Sequence, residues 1–353
     1  MAEQRVRIGI VGAGNNTRVR HIPGFRAIPG VEIVGVVNRS GESTTRAARE
    51  LNIPKTYPDW QALVADREID AVCIGTWPNL HCEVTCAALA AGKHVLCEAR
   101  MARNAAEAHR MLRASRAHPN LIAQIVPSPF GLVQDQFVRQ LIADNYLGEI
   151  REVVVIGADD TFWDYSKELH WRQDAELSGL NVLTLGILHE TLCRWAPQPV
   201  SVFAQTTTFE PQRPVPSLCR QMPVTVPDSV QIVTQLAGGG HGIYHMSGVI
   251  LFGPGKQIHL YGRNGTIKYL ISPREELWCG RIGDPELKRI DILPERQGRW
   301  RVEEEFICAI RGQEKVRLTD FATGVAYMEF TEAVTRSASA GQPVRLPLPD
   351  IAR

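Results

Sequence analysis

The stretch Arg7-Ile8-Gly9-Ile10-Val11-Gly12-Ala13-Gly14-Asn15-Asn16-Thr17 limits the fold of this chain more than any other. Ile8 to Val11 is an unbroken apolar run, as a strand buried on both faces requires. Gly12 permits a tight turn, and Gly14 lets the backbone approach a pyrophosphate. The free N–H groups of the following helix turn present partial positive charge to it. Thr17 stands where G-x-G-x-x-G has its third glycine, so the motif is incomplete. Strand, turn and helix together predict the first unit of a dinucleotide-binding parallel sheet.

The residues that follow alternate strand and helix as such a sheet demands. After a helical segment to Ala27, interrupted at Pro23-Gly24, the strand Val31 to Val37 ends at Asn38-Arg39-Ser40. An acidic residue there would bind a ribose 2′-hydroxyl, whereas an Arg accommodates a 2′-phosphate. Arg39 beside the Ser40 hydroxyl therefore favours NADP over NAD, unless Arg39 is a solvated turn residue or stacks on adenine. Strand Ala71 to Gly75 delivers Thr76-Trp77-Pro78-Asn79-Leu80-His81 at its carboxyl end, and strand Gly92 to Cys97 delivers Glu98. The cofactor-binding candidates are Gly12, Gly14, Asn15, Asn16, Thr17, Asn38, Arg39, Ser40, Thr76, Trp77, Asn79, His81 and Glu98.

Length and charge narrow the function. With 353 residues the chain suits two cores, 1–126 and 127–353. A formal net charge of +1, with acids and bases interspersed, offers nothing to nucleic acid or an anionic membrane. The residues Met1 to Arg5 run straight into the first strand without a signal peptide, and no apolar run is long enough to span a bilayer, which predicts a cytoplasmic protein. The eight cysteines form no C-x-x-C pair; Cys82 and Cys86 lie four apart on a helix without a metal-ligand pattern. Buried free thiols and no metal site are expected.

Beyond residue 150 the period changes to that of strands: Arg151 to Ala158, Asp228 to Leu236, Gly242 to Leu251, Gln257 to Leu260 and Thr266 to Leu270. Gly238-Gly239-Gly240 reads as a hairpin turn, and Pro211 to Pro227 as an excursion at a sheet edge or subunit surface. Val302 to Arg311 and Phe321 to Ser337 read as helices with aromatic residues in the core. The segment Asp159 to Arg172 is dense in aromatic, acidic and histidine side chains. Rings that stack on C–H faces beside carboxylates that take hydroxyls suit a sugar or cyclitol, although a solvated loop anchored by Trp163 and Trp171 would read the same.

Val11-Gly12-Ala13-Gly14, Thr76 and Pro78 followed by His81, and Ala91-Gly92-Lys93-His94-Val95-Leu96-Cys97-Glu98 resemble the glucose-fructose oxidoreductase, inositol dehydrogenase and MocA family. The resemblance continues through Leu147-Gly148-Glu149-Ile150, Tyr261-Gly262 and Asn264-Gly265-Thr266-Ile267 to the end of the chain. It implies an α/β protein. An N-terminal Rossmann doubly wound parallel sheet would hold NAD(P), and a C-terminal α+β domain with a large, mostly antiparallel sheet would line the substrate pocket and often mediate oligomerisation. A homo-oligomer acting on a small carbohydrate-like molecule is expected.

Two positions depart from that family. Its Glu-Lys-Pro is here Glu98-Ala99-Arg100: Ala99 moves no proton, and Arg100 could at most bind an anion, if it turns inward, because its pKa is too high for a base. The family's Asp-x-Gly-x-His aligns on Gly186 with Thr184 and Leu188, and the histidine, His189, is displaced by one residue, about 100° around a helix. His189 with Glu190 could form a rearranged acid/base pair, or His189 could be structural. His170, Tyr165 and Asp160 are further catalytic candidates, and Trp163, Arg172 and Arg100 are candidates for substrate binding. These substitutions leave two readings. One is an NAD(P)-dependent oxidoreductase of a sugar, glycoside or cyclitol hydroxyl with non-standard acid/base residues. The other is a protein whose bound NAD(P) serves glycoside cleavage or elimination without net redox, or a sensor.

Overall fold

The computed structural model describes residues 4–351, and they form two units. The first comprises residues up to Pro127 together with Arg301–Val325 and Ile351; the second comprises Ser128–Trp300 and Ala326–Asp350. The expected domains 1–126 and 127–353 are thus corrected in one respect: the chain returns to the first unit after residue 300. Residues 1–3 and 352–353, at the outer ends of those ranges, lie outside the described residues.

In the first unit β1 (Val6–Val11), β2 (Val31–Val37), β3 (Lys55–Thr56), β4 (Ala71–Ile74), β5 (His94–Cys97) and β6 (Ala123–Ile125) form one parallel sheet in the order β3-β2-β1-β4-β5-β6. The order reverses between β1 and β4, and ligands of open parallel sheets bind outside the carboxyl ends of the strands at such a switch. Ile8, Ile10, Val72, Ile74, Val95 and Leu96 are wholly buried, as strands covered on both faces must be. Helices α2 (Gly41–Leu51), α3 (Trp60–Ala65), α4 (Pro78–Ala90) and α5 (Ala105–Ala117) alternate with the strands. Each start is legible locally: Ser40, Asp59 and Asn104 accept from the backbone N–H three residues on as N-caps, and Pro78 opens α4 where its missing N–H costs nothing.

The helix after the glycine turn is not broken at Pro23-Gly24 as expected. The irregularity lies a turn earlier, in the π-helical segment Thr17–His21, where the Ile22 N–H reaches the Thr17 carbonyl. Pro23 then falls in the first turn of α1 (Ile22–Arg26), which tolerates it. Phe25 packs edge-on against Phe306 of α9 (Val302–Ile310), the helix with which the chain returns.

The second unit is built on a nine-stranded sheet ordered β16-β15-β14-β13-β7-β12-β11-β8-β17. Its strands are β7 (Ile150–Ala158), β8 (Pro199–Thr207), β11 (Ser229–Leu236), β12 (His241–Ser247), β13 (Gly255–Gly262), β14 (Gly265–Leu270), β15 (Glu276–Arg281), β16 (Lys288–Ile290) and β17 (Val344–Arg345). Only β7 and β12 pair in parallel; all other neighbours are antiparallel. The glycine turn of the β11–β12 hairpin has Gly238 and Gly239 at positive φ. The proline-rich excursion forms a separate ribbon, β9 (Gln212–Val215) against β10 (Arg220–Pro223). Helices α6 (Asp135–Ala143), α7 (Ala175–Ser178), α8 (Leu185–Cys193) and the part of α10 (Phe321–Ala340) beyond residue 325 complete this unit.

Alternation along the strands gives the sheet two different faces. Val230, Ile232, Tyr244 and Met246 are buried, with Tyr244 tilted against Phe330 of α10. On the other face Phe203, Val233 and Ile243 lie side by side in register and are each about half exposed. Among the described residues no helix is long and apolar enough to cross a membrane. All eight cysteines are free, but burial is uneven: Cys73, Cys82, Cys97 and Cys279 are buried, Cys219 is exposed, and the others lie between.

The tightest approach in the first unit is at Gly75, where an added Cβ would sit 2.0 Å from Thr17 Oγ1 and 2.4 Å from the Gly12 carbonyl oxygen. Gly75→Ala is expected to lower unfolding stability by about 2 kcal/mol in urea titration, and an unchanged midpoint would contradict the packing described.

Candidate functional site

In the first unit the site is built around the glycine turn. Gly12 has φ +87°, and a Cβ there would meet Thr76 and Gly75 at under 3 Å, so glycine is required on two counts. The turn is pinned at Ala13, whose N–H donates to Asn38 Oδ1 at 2.7 Å, while Asn38 Nδ2 donates to the Ser43 carbonyl. Asn38 therefore holds the turn with its side chain. Gly14 and Asn15 are exposed at the start of the helix, leaving their backbone open to an anion. Thr17 is buried and donates to the Gly12 carbonyl. The close packing usually provided by a third glycine on the helix is provided here by Gly75 across the gap.

At the second strand end Arg39 is exposed, with its guanidinium 5.6 Å from the centre of the Trp77 ring. Ser40 and Ser43 cap α2 reciprocally through their hydroxyls. Asn79 carries a buried Oδ1 without a hydrogen-bond partner at the start of α4. His81 is fully buried, its ring nitrogens 3.0 Å from the Thr76 carbonyl oxygen and 2.9 Å from that of Arg100; burial lowers its pKa. It ties together the loops after β4 and β5, and its ring is occupied by that bridge. The Ala99–Arg100 peptide is cis, and Arg100 is only 3% exposed.

Glu98 anchors an array that sequence reasoning missed. Its Oε1 accepts from Asn16 and, at 2.9 Å, from His21 Nε2; His21 Nδ1 donates to Glu303 of α9 at 2.5 Å. Burial alone would lower the His21 pKa, but the two carboxylates outweigh it and raise it to about 9. Burial alone would raise Glu98, yet His21 and Asn16 hold its carboxyl below the usual range. His21 is hidden in the helical run after the glycines and Glu303 is 282 residues away; three successive glutamates in an otherwise apolar helix, Glu303 to Glu305, were the available signal.

In the second unit the sequence candidates fall into separate places. His189 is stacked on Phe330 at 3.6 Å and hydrogen-bonded through Nδ1 to the Tyr244 hydroxyl at 2.9 Å; burial drives its pKa down to about 3. Glu190 pairs with Arg194 at 2.7 Å and accepts the Ser128 N–H, while Arg194 also donates to the Ser128 and Phe130 carbonyls. Burial raises the Glu190 pKa against the pull of Arg194. These two neighbours thus serve different internal partners. Leu188 and Thr184 lie at about 3 Å or less from where Gly157 would carry a Cβ.

The aromatic segment lies elsewhere. Trp163 and Tyr165 line a cleft with Phe209, Glu210, Gln231 and His245. His245 and Tyr244 are neighbours on β12 and point to opposite faces, so this cleft and His189 are on opposite sides of the sheet. The segment is held by Arg213 of β9, a buried guanidinium that donates to the Phe162 and Asp164 carbonyls. Asp160 is exposed. His170 caps the short turn Trp171–Gln173 by accepting the Arg172 N–H, and burial lowers its pKa. Arg172 stacks on Trp171.

A switch-point crevice, an obligatory glycine turn and an exposed helix start define the first unit as a dinucleotide-binding domain of the oxidoreductase type. Residues 6–124 match the model of the oxidoreductase family with an NAD-binding Rossmann fold, and residues 136–268 match the GFO/IDH/MocA C-terminal domain; the chain belongs to this oxidoreductase family. It is 27% identical over 244 residues to trans-1,2-dihydrobenzene-1,2-diol dehydrogenase of Bos taurus, spanning 69% of this chain and 66% of that protein. It is 39% identical over 110 residues to 1,5-anhydro-D-fructose reductase of Ensifer adhaerens, 31% of this chain and 33% of that one. Among solved structures, levoglucosan dehydrogenase with NADH and L-sorbose has the same fold, with TM-score 0.86 at 22% identity over 98% of this chain and all of that one.

His189 provides a test of this geometry. Unfolded, the ring takes up a proton below its ordinary value of 6.5; folded, it does so only near 3. Its contribution to stability is therefore complete above pH 6.5 and lost as pH falls through that window. Between about pH 7 and pH 4 the wild type should lose more stability in denaturant titration than His189→Asn, and parallel losses would contradict the buried neutral ring.

Proposed function

We propose that this protein is an NAD(P)-dependent oxidoreductase, with NADP preferred over NAD, acting on a hydroxyl of a sugar, glycoside or cyclitol. The glycine turn carries the reading: with no Cβ tolerated at Gly12, and Gly14 and Asn15 open at a helix start, the backbone suits a pyrophosphate. Bound NAD(P) would supply the hydride acceptor or donor. Asn38 is committed to the turn, so the 2′ position of the adenosine ribose would meet Arg39 and the Ser40 hydroxyl, which suits a phosphate. Sugar-like substrates are supported by the names of the relatives described above and by the Trp163 and Tyr165 cleft, whose rings and polar groups suit a polyhydroxylated ligand. In this reading Trp163 and Arg172 of the second unit hold substrate, Arg100 of the first unit is a separate candidate for binding an anionic group, proton transfer falls to His170, Tyr165 or Asp160, and His189 and Glu190 position the helix they share. The free thiols fit a reducing compartment, the cytoplasm.

A second reading is favoured by Ala99 and by the packing of Leu188 against Gly157, which leave apolar groups where a base would stand: the dinucleotide stays bound during a glycoside cleavage or elimination, or serves a sensor. Purified protein incubated with NADP or NAD and a panel of sugars, glycosides and cyclitols should reduce dinucleotide in excess over enzyme. A released sugar product without net reduction would establish the second reading instead. Arg39→Ala should weaken NADPH binding roughly tenfold and leave NADH unchanged; equal effects on both would contradict the NADP preference.

The half-exposed row Phe203, Val233 and Ile243 supports a homo-oligomer in which a second copy covers this row of the sheet face and leaves the neighbouring Trp163 and Tyr165 cleft open. Val233→Glu with Ile243→Glu should halve the mass seen by light scattering at micromolar protein. A wild-type monomer, or an unaltered mass in the variant, would contradict it.

A further inference from the structure

We propose that Cys86 of α4, served by Cys82 and by Arg110 of α5, is a thiol-modification site that takes disulfides bearing negative charge, of which oxidised glutathione is one. The proposal is independent of the cofactor reading. Cys86 lies more than two turns along α4 from Pro78, and no group named for the dinucleotide takes part in it.

Residues four apart share one face of a helix, and Cys82 and Cys86 lie on the face of α4 that meets α5. Nε of Arg110 donates to Cys82 Sγ at 3.1 Å, and the Cys82 thiol lies 3.4 Å from the Glu107 carbonyl oxygen. Cys82 is only 2% exposed, whereas Cys86 is half-buried and open to a reagent. Arg110 and Arg113 are both exposed and, three residues apart, are neighbours on the surface of α5, so an approaching reagent meets positive charge. The carboxylate of Glu107, on the same helix, is taken up by Arg103 at 2.6 Å. Among the described residues no three His, Cys, Asp or Glu side chains gather to hold a metal ion, which leaves the pair to thiol chemistry.

The Cys82 thiol and the two arginines favour the Cys86 thiolate and outweigh its burial, bringing its pKa down to about 6, while Cys82 beside it is pushed up. One thiolate and one neutral thiol result. In the exchange, Cys86 Sγ forms a bond to one sulfur of the disulfide, the original S–S bond breaks, and its electron pair leaves with the other half as a thiolate. Cys86 is oxidised and one equivalent of glutathione is released in reduced form, so no other oxidant is required. Cys82 does not then displace the adduct. Helical residues four apart hold their Cβ atoms about 5–6 Å apart, whereas a disulfide needs about 3.5–4.5 Å. The mixed disulfide therefore persists until an external thiol removes it.

The test incubates the intact protein at about pH 7 with oxidised glutathione or with cystamine, a disulfide bearing positive charge, then alkylates with iodoacetamide and maps the cysteines by peptide mass spectrometry. Cys86 should acquire one glutathione, and faster than it acquires cysteamine. Cys308, also half-buried but with its pKa raised by burial, should lag behind it. Arg110→Gln, a change at an exposed side chain, should slow the glutathione reaction at Cys86 about tenfold and the cystamine reaction by less. An unmodified Cys86, equal rates with the two disulfides, or a glutathione rate in Arg110→Gln that is unaltered or slowed no more than the cystamine rate would overturn the proposal. So would a Cys82–Cys86 disulfide in place of the adduct. Each of these outcomes leaves the cofactor reading where it stands.

Discussion

The missing side chains at Gly12 and Gly75 are what the first unit depends on. With nothing between them, the glycine turn lies against the end of β4, and Thr17 can bury its hydroxyl in the gap and return a hydrogen bond to Gly12. Each further piece of the site hangs from that contact. Asn38 reaches Ala13 because the turn is low against β2, Asn16 reaches Glu98 because the helix starts where it does, and the π-helical segment turns His21 toward the same carboxylate. Irregular helical turns of this kind recur at functional sites because they re-aim one side chain without ending the helix.

The two units treat buried charge in the same way and to different ends. Burying an ion pair gains little net stability, since the desolvation cost roughly offsets the attraction, but breaking one is expensive. Such groups therefore fix geometry more than they stabilise the fold. Glu190 and Arg194 fix the segment from Ser128 to Phe130; Glu98, His21 and Glu303 fix the rim of the phosphate turn. His189 has no charged partner among those recorded for it, and a neutral ring between Tyr244 and Phe330 is the result.

Local patterns told most about the fold. The apolar run Val31 to Val37 placed β2 at its observed limits, and the alternating runs placed the β11–β12 hairpin about its glycines. Proline was over-read at Pro23, because the constraint it imposes depends on its place in a helix. Side-chain partners were beyond reach wherever they came from distant elements. Nothing near His189 announces Tyr244 and Phe330, nothing near His21 announces Glu303, and only strand alternation in the folded sheet reveals that Tyr165 and His189 occupy opposite faces.

The account holds that this protein keeps an intact dinucleotide cradle while the side chains around its proton chemistry have been rearranged. A crystal structure with NADP+ and a bound cyclitol or sugar tests this most directly. The account predicts the pyrophosphate over Gly14 and Asn15, Arg39 at the 2′-phosphate, the Glu98 carboxylate still bonded to His21, and His189 still against Tyr244 with no contact to ligand. A pyrophosphate away from the glycine turn, or His189 released from Tyr244 and bonded to the ligand hydroxyl, would contradict it.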